Sequence, residues 1–149
     1  MLKFIQHLID LNAPLLARAR SATKYDEALA LYEVKEYSKA FPLMKEAAEL
    51  GGLPAMSILG SMYLLGRGVR ENGAEAERWL REAVEGGYEG AISILGMAYA
   101  TGSAKIRADI PLARQLLTQA AEKGDQQSAR MLEMMDKGQG MSRRLKKAR

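Results

Sequence analysis

The chain has 149 residues, 48% hydrophobic and 27% charged, with a net charge of +4, no cysteine and one histidine. That is one domain's length, with apolar material enough for a sizeable core. The missing cysteines exclude disulfides and thiolate metal sites, and the lone His7 excludes histidine triads and His-based metal centres.

A cysteine-free chain is compatible with a reducing compartment, and a cytoplasmic location is the expectation. The first residues, MLKFIQHLIDLNAPLLARA, carry one lysine and an ARA triplet, as a leader would. Gln6, His7, Asp10 and Asn12 interrupt the apolar run that a leader needs. No stretch approaches the ~20 apolar residues of a membrane span. The charge is uneven. The last eight residues, SRRLKKAR, hold five cations and no acid, which leaves the other 141 residues at −1.

Residues 1–20 are expected to form a capping helix through Ile5, Leu8, Ile9, Leu15 and Leu16, kinked or divided at Pro14. A short helical hairpin follows over 22–51, with Ala28, Leu31, Ala40, Met44 and Ala47 facing inward. Its turn is Val34–Tyr37 and its second helix is expected to be capped by Ser38. In 52–87 the first helix carries Ala55, Ile58, Leu59, Met62 and Tyr63 at helical spacing and ends at Gly66 and Gly68. Asn72 reads as the next N-cap with Glu75 as its capping-box partner, and the helix buries Ala76, Trp79, Leu80 and Ala83. Residues 88–124 repeat the plan, with Asp109 as N-cap and Ala113, Leu116, Leu117 and Ala120 inside. A fourth first-type helix is expected over 125–137, ending near Gly138. A disordered basic tail is expected over 142–149. Residues 1–141 thus read as one repeat domain.

The repetition is explicit. PAMSILGSMY at 54–63 and GAISILGMAY at 90–99 share six of ten residues at an offset of 36. Ala40, Ala76 and Ala113, and Ala47, Ala83 and Ala120, recur in step. A period of this size means a solenoid, in which neighbouring units bury a shared core and expose a long surface. Mid-helix glycine costs about 1 kcal/mol against alanine. Gly60 and Gly96 therefore predict contacts too close for a β-carbon.

Catalytic chemistry is not legible. The loop GRGVRENG lacks the GK[ST] ending of a phosphate-binding loop and follows no strand. Glu46, Glu49, Glu82 and Glu85 lie at helical surface spacing and read as solvated faces. A non-enzyme without metal or cofactor is expected.

The pattern running through Leu59-Gly60, Tyr63, Gly66, Gly68-Val69, Ala76, Trp79-Leu80, Ala83 and Gly87 resembles the Sel-like repeat, a relative of the tetratricopeptide repeat. Residues 88–124 match but read SAKI where GxGV is expected, and 25–51 are closer to a tetratricopeptide unit. The resemblance implies an all-α, α/α superhelix of three hairpins with a capping helix and an extra C-terminal helix. It implies an adaptor that binds another protein on its concave face, with a bacterial immunity protein against a toxin or a secretion-linked adaptor as specific versions. By tetratricopeptide-like register the contact residues are Tyr25, Tyr32, Glu33, Ser57, Ser61, Leu64, Ser93, Met97 and Arg130, with Tyr32, Leu64 and Met97 as apolar anchors. The alternative is a nucleic-acid or anionic-surface binder that uses the tail. The helix bearing Met131, Leu132, Met134 and Met135 is expected either to pack back on the third hairpin or to await a partner.

Overall fold

The computed structural model describes residues 2–147, with side chains at all positions but 4, 8 and 139–147. Seven helices follow in order: α1 (Leu2–Glu33), α2 (Tyr37–Glu49), α3 (Leu53–Leu65), α4 (Gly73–Glu85), α5 (Gly90–Thr101), α6 (Ile110–Glu122) and α7 (Gln126–Lys147). No strand occurs among the described residues. α1/α2, α3/α4 and α5/α6 pair as hairpins, each packed on the next, and α7 closes the array against α5 and α6.

Repeated small residues set the packing. Ala40, Ala47, Ala76, Ala83 and Ala113 are all fully buried, and Met44, Leu59, Met62, Leu80 and Leu117 supply the bulk between them. The caps follow the sequence. Asn72 Oδ1 accepts from the Glu75 amide at 3.2 Å, and Asp109 Oδ1 accepts from the Leu112 amide at 3.0 Å. Gly66 and Gly102 end their helices in the left-handed region, at φ 64° and 69°.

Several expectations are corrected. The capping helix and the first hairpin helix are one 32-residue helix, which runs through Pro14. Proline removes a single backbone donor there, and the strong helix formers on either side carry the helix across it. α2 starts at Tyr37, one residue before Ser38, and has no side-chain cap. α7 does not stop at Gly138. It continues to Lys147, so residues 142–147 extend a helix where a disordered tail was expected. Residues 148 and 149 lie outside the described residues.

Each long loop leans on the preceding element. A β-carbon on Gly68 would lie 2.1 Å from the Tyr37 carbonyl oxygen, so the α3–α4 loop rests directly on the α1–α2 turn. Arg67 beside it donates to the Tyr32 hydroxyl and stacks over the Tyr32 and Tyr37 rings, at 5.7 and 5.3 Å. The α5–α6 loop rests in the same way on the start of α4, where a β-carbon on Gly73 would lie 2.3 Å from the Ala104 carbonyl oxygen. That loop keeps Gly102 where its predecessor has Gly66, but Ala104 stands in the place of Gly68. Ala104 and the following Lys105 hold positive φ, 54° and 63°.

Candidate interaction surface

α3 and α5 contain no residue that is charged at neutral pH. A helix apolar all round belongs in a core, yet each leaves one stripe open. On α3 the stripe is Pro54, Ile58, Ser61 and Leu65, of which Leu65 is 59% exposed and the others half-buried. On α5 it is Gly90, Ile94, Met97 and Thr101, with Ile94 and Met97 half-buried. The matching stripe on α1 is Arg18, Ala22, Tyr25 and Leu29. On α7 it passes through half-buried Met131 and exposed Met134. The first helices of successive units therefore share a face that is apolar and nearly free of charge, with Arg18 at its edge.

A cavity of about 550 Å³ opens on this face, lined by Arg18, Ser21, Ala22 and Tyr25 of α1, the Leu50–Ala55 segment and Tyr88. Its floor is fixed by Ser21, whose hydroxyl donates to the Ala47 carbonyl at 2.8 Å. A β-carbon on Gly52 would strike that hydroxyl. Burial raises the Tyr25 phenol above its ordinary pKa. The second helices α2, α4 and α6 that pack behind α3 and α5 do carry charged residues. Tyr99 of α5 donates to Glu77 of α4 at 2.6 Å, Arg81 donates to the same carboxylate at 3.0 Å, and burial with the Glu77 hydrogen bond pushes the tyrosine up to about 12.

The structure sorts the residues expected to bind a partner. Tyr25, Ser61 and Met97 lie on the open face, and Ser93 is half-buried beside it. Glu33 and Arg130 are exposed, Glu33 at the end of α1 and Arg130 next to the Met131 stripe. Ser57 and Leu64 are buried, at 3% and 9% exposure, and present no surface. Tyr32 is held by Arg67 and Tyr37 in the clamp between hairpins. The tetratricopeptide-like register is thus displaced on α3: Ile58 and Leu65 occupy the open stripe where Ser57 and Leu64 were expected. Ile58, grouped by its spacing with Ala55, Leu59, Met62 and Tyr63, and its repeat Ile94 lie half-buried on the open stripes. Their four-residue spacing from Pro54 and Gly90 is the sequence signal for that placement. Met131, Leu132 and Met135 pack half-buried, while Met134 stays 66% exposed, so the terminal helix both covers the third hairpin and offers apolar surface. Among the described residues no group of acidic and histidine side chains is placed to hold a metal. No helix there is long and apolar enough to cross a membrane.

The Sel1 repeat model matches residues 30–52, 53–88 and 91–125, which take in the end of α1 with α2 and then the α3/α4 and α5/α6 hairpins. The chain belongs to the Sel1 repeat family. Among solved structures, a protective antigen present in uropathogenic Escherichia coli strains and displaying an SLR fold is 32% identical, with a TM-score of 0.69 over 77% of this chain and 25% of that one. A Sel1 repeat protein from Oxalobacter formigenes is 26% identical, with a TM-score of 0.63 over 70% of this chain and 41% of that one. The cysteine rich protein B of Helicobacter pylori, at 18% identity, shares the fold with a TM-score of 0.59 over 81% of this Sel1 repeat chain and 92% of its own. The chain therefore spans a quarter to two fifths of the first two relatives.

Proposed function

We propose that this Sel1 repeat protein is a non-catalytic scaffold that binds a protein partner through the open face of its first helices. The observation that carries the reading is the charge-free pair α3 and α5, whose open stripes place Ile58, Leu65, Ile94 and Met97 side by side at the surface. Exposed apolar surface of this kind marks an interaction site. The absence of charge fits an apolar face, such as that of an amphipathic helix, rather than a phosphate or an acidic tail. Leu65 and Met97 are the anchors in this reading, and Met134 extends the face onto α7. An immunity protein that masks a toxin is one specific form of such a scaffold, and a secretion-linked adaptor is another; family resemblance supports both.

The test is affinity capture from native extract with the full chain, a Leu65→Glu/Met97→Glu variant and a chain lacking 142–149, read by mass spectrometry. Circular dichroism checks that each variant is folded. One stoichiometric protein, retained without the basic segment and lost by the double variant, is the expected result. A partner retained by the double variant would remove the open face from the reading. Nucleic acid lost with residues 142–149 would replace the scaffold reading altogether.

A further inference from the structure

We infer that this chain associates with a second copy of itself through the N-terminal half of α1, whatever the open face binds. α1 packs on its own hairpin with a stripe that alternates four and three residues: Ser21, Lys24, Ala28 and Leu31, with Ser21 and Ala28 buried. Carried back along the helix, the same stripe runs through Ala17, Pro14, Asp10, His7 and Lys3, and so turns polar. The apolar residues move to the other faces. Leu11 and Leu15 continue the seam of Arg18, Ala22, Tyr25 and Leu29. Leu2, Ile5, Ile9 and Leu16 form a second seam further round the helix, at the same alternating spacing except that Asn12 stands between Ile9 and Leu16. All six are uncovered, with exposures from 48% at Ile5 to 85% at Leu2. From Leu11 to Arg20 only Ala17 is even half-buried. The segment is an arm about 20 Å long at 1.5 Å per residue, amphipathic, with its apolar side turned away from its own solenoid.

Two observations select the occupant. Along α1 the four cations Lys3, Arg18, Arg20 and Lys24 are matched by the four carboxylates Asp10, Asp26, Glu27 and Glu33. The helix lacks the net basic face by which an amphipathic helix holds an anionic bilayer, which disfavours a lipid surface. The area suits a pair. A buried aliphatic side chain removes roughly 60–120 Å² from water, so six per copy give roughly 700–1,400 Å² for two arms together, which overlaps the ~1,200 Å² from which stable interfaces begin. The patch is apolar on both copies and needs no second surface, as a two-fold interface requires. Lys3 and Asp10 sit on the polar stripe, outside it.

Sedimentation equilibrium or light scattering on the full chain is the test. The variants are Ile5→Glu/Ile9→Glu in the arm, on the seam that does not continue the open face, and Met97→Glu on the open face. The wild type is expected to be dimeric with a dissociation constant at or below about 10 µM. The arm variant, folded by circular dichroism, is expected to be monomeric, and Met97→Glu to remain dimeric. A monomeric wild type, or a dimer that survives the arm variant, overturns the inference. Loss of the dimer in Met97→Glu also overturns it, because the arm would then be seated on the open face. A monomer that co-sediments with anionic vesicles overturns it in favour of a lipid surface. Partner capture by the arm variant is read separately, so self-association and scaffold function can fail independently.

Discussion

Gly60 and Gly96 occupy equivalent places in the two SILG segments, and the structure predicts that alanine at the two sites behaves differently. A β-carbon on Gly60 would lie 2.6 Å from Leu80 Cγ and 3.2 Å from the Ala76 carbonyl oxygen. Leu80 is fully buried, and its Cγ is a branch point that cannot yield without moving the whole side chain. On Gly96 the nearest atom is Leu117 Cγ at 3.1 Å, a contact relieved by a few tenths of an ångström. Both substitutions gain roughly 1 kcal/mol of helix propensity. Overpacking costs about 1–3 kcal/mol, and the Gly60 contact falls in the upper part of that range. Gly60→Ala should therefore destabilise by roughly 1–2 kcal/mol, and Gly96→Ala should be neutral to within roughly 0.5 kcal/mol. Urea denaturation followed by far-UV circular dichroism measures both. The decisive arm is Leu80→Ala, which empties the space above Gly60. In that background Gly60→Ala should recover the propensity gain and stabilise by roughly 1 kcal/mol. If Gly60→Ala stabilises the otherwise unaltered protein, or has the same effect in both backgrounds, the close approach of α3 and α4 does not explain the glycine.

Three further outcomes follow from particular contacts. The folded Tyr99 phenol holds its proton up to about pH 12, against an ordinary value of 10.0, so between these values the folded state binds more protons than the unfolded one. Its contribution is complete below pH 10 and lost as pH rises through 12, worth roughly 2–3 kcal/mol in all. Denaturation across this range should show a shallower alkaline loss for Tyr99→Phe than for the wild type. Ala104→Gly removes the cost of a positive φ of 54° in the third loop. Thermal melting should show a gain of up to about 1 kcal/mol, after the larger unfolded-state entropy of glycine is deducted. Asn72→Ala deletes the acceptor of the Glu75 amide and should cost about 1 kcal/mol by urea titration, with Asn72→Asp restoring most of it.

The sequence made the hairpins legible because their stop signals are chemical. Asn72 and Asp109 cap where a polar side chain precedes an apolar run, and Gly66 and Gly102 end helices that only a left-handed residue can close. The open face was harder to place for a definite reason. A helical register is read from the contrast between apolar and charged residues, and α3 and α5 have no charge to supply it. Ser57 and Leu65 then look interchangeable with surface and core, and only their neighbours decide. Ser57 does repeat Ser21 at an offset of 36, and both serines are buried. The unity of α1 was masked by Pro14, a residue that usually marks a boundary. The clamp of Arg67 with Tyr32 and Tyr37 left no trace in the sequence, because it joins side chains from two different units.

The backward lean of the long loops gives the array a direction. The α3–α4 loop rests on the turn at Tyr37, and the α5–α6 loop presses on α4 at Gly73, so each later unit borrows support from an earlier one. Losses at the two ends are then unequal. Cutting the chain after Glu85 leaves the first two hairpins with their loop contact at Tyr37 intact, whereas deleting α1 and α2 strips the α3–α4 loop of its seat. Such an array should fray from its C-terminal end inward, and its first hairpin, although the least typical unit of the family, is the foundation on which the rest is laid.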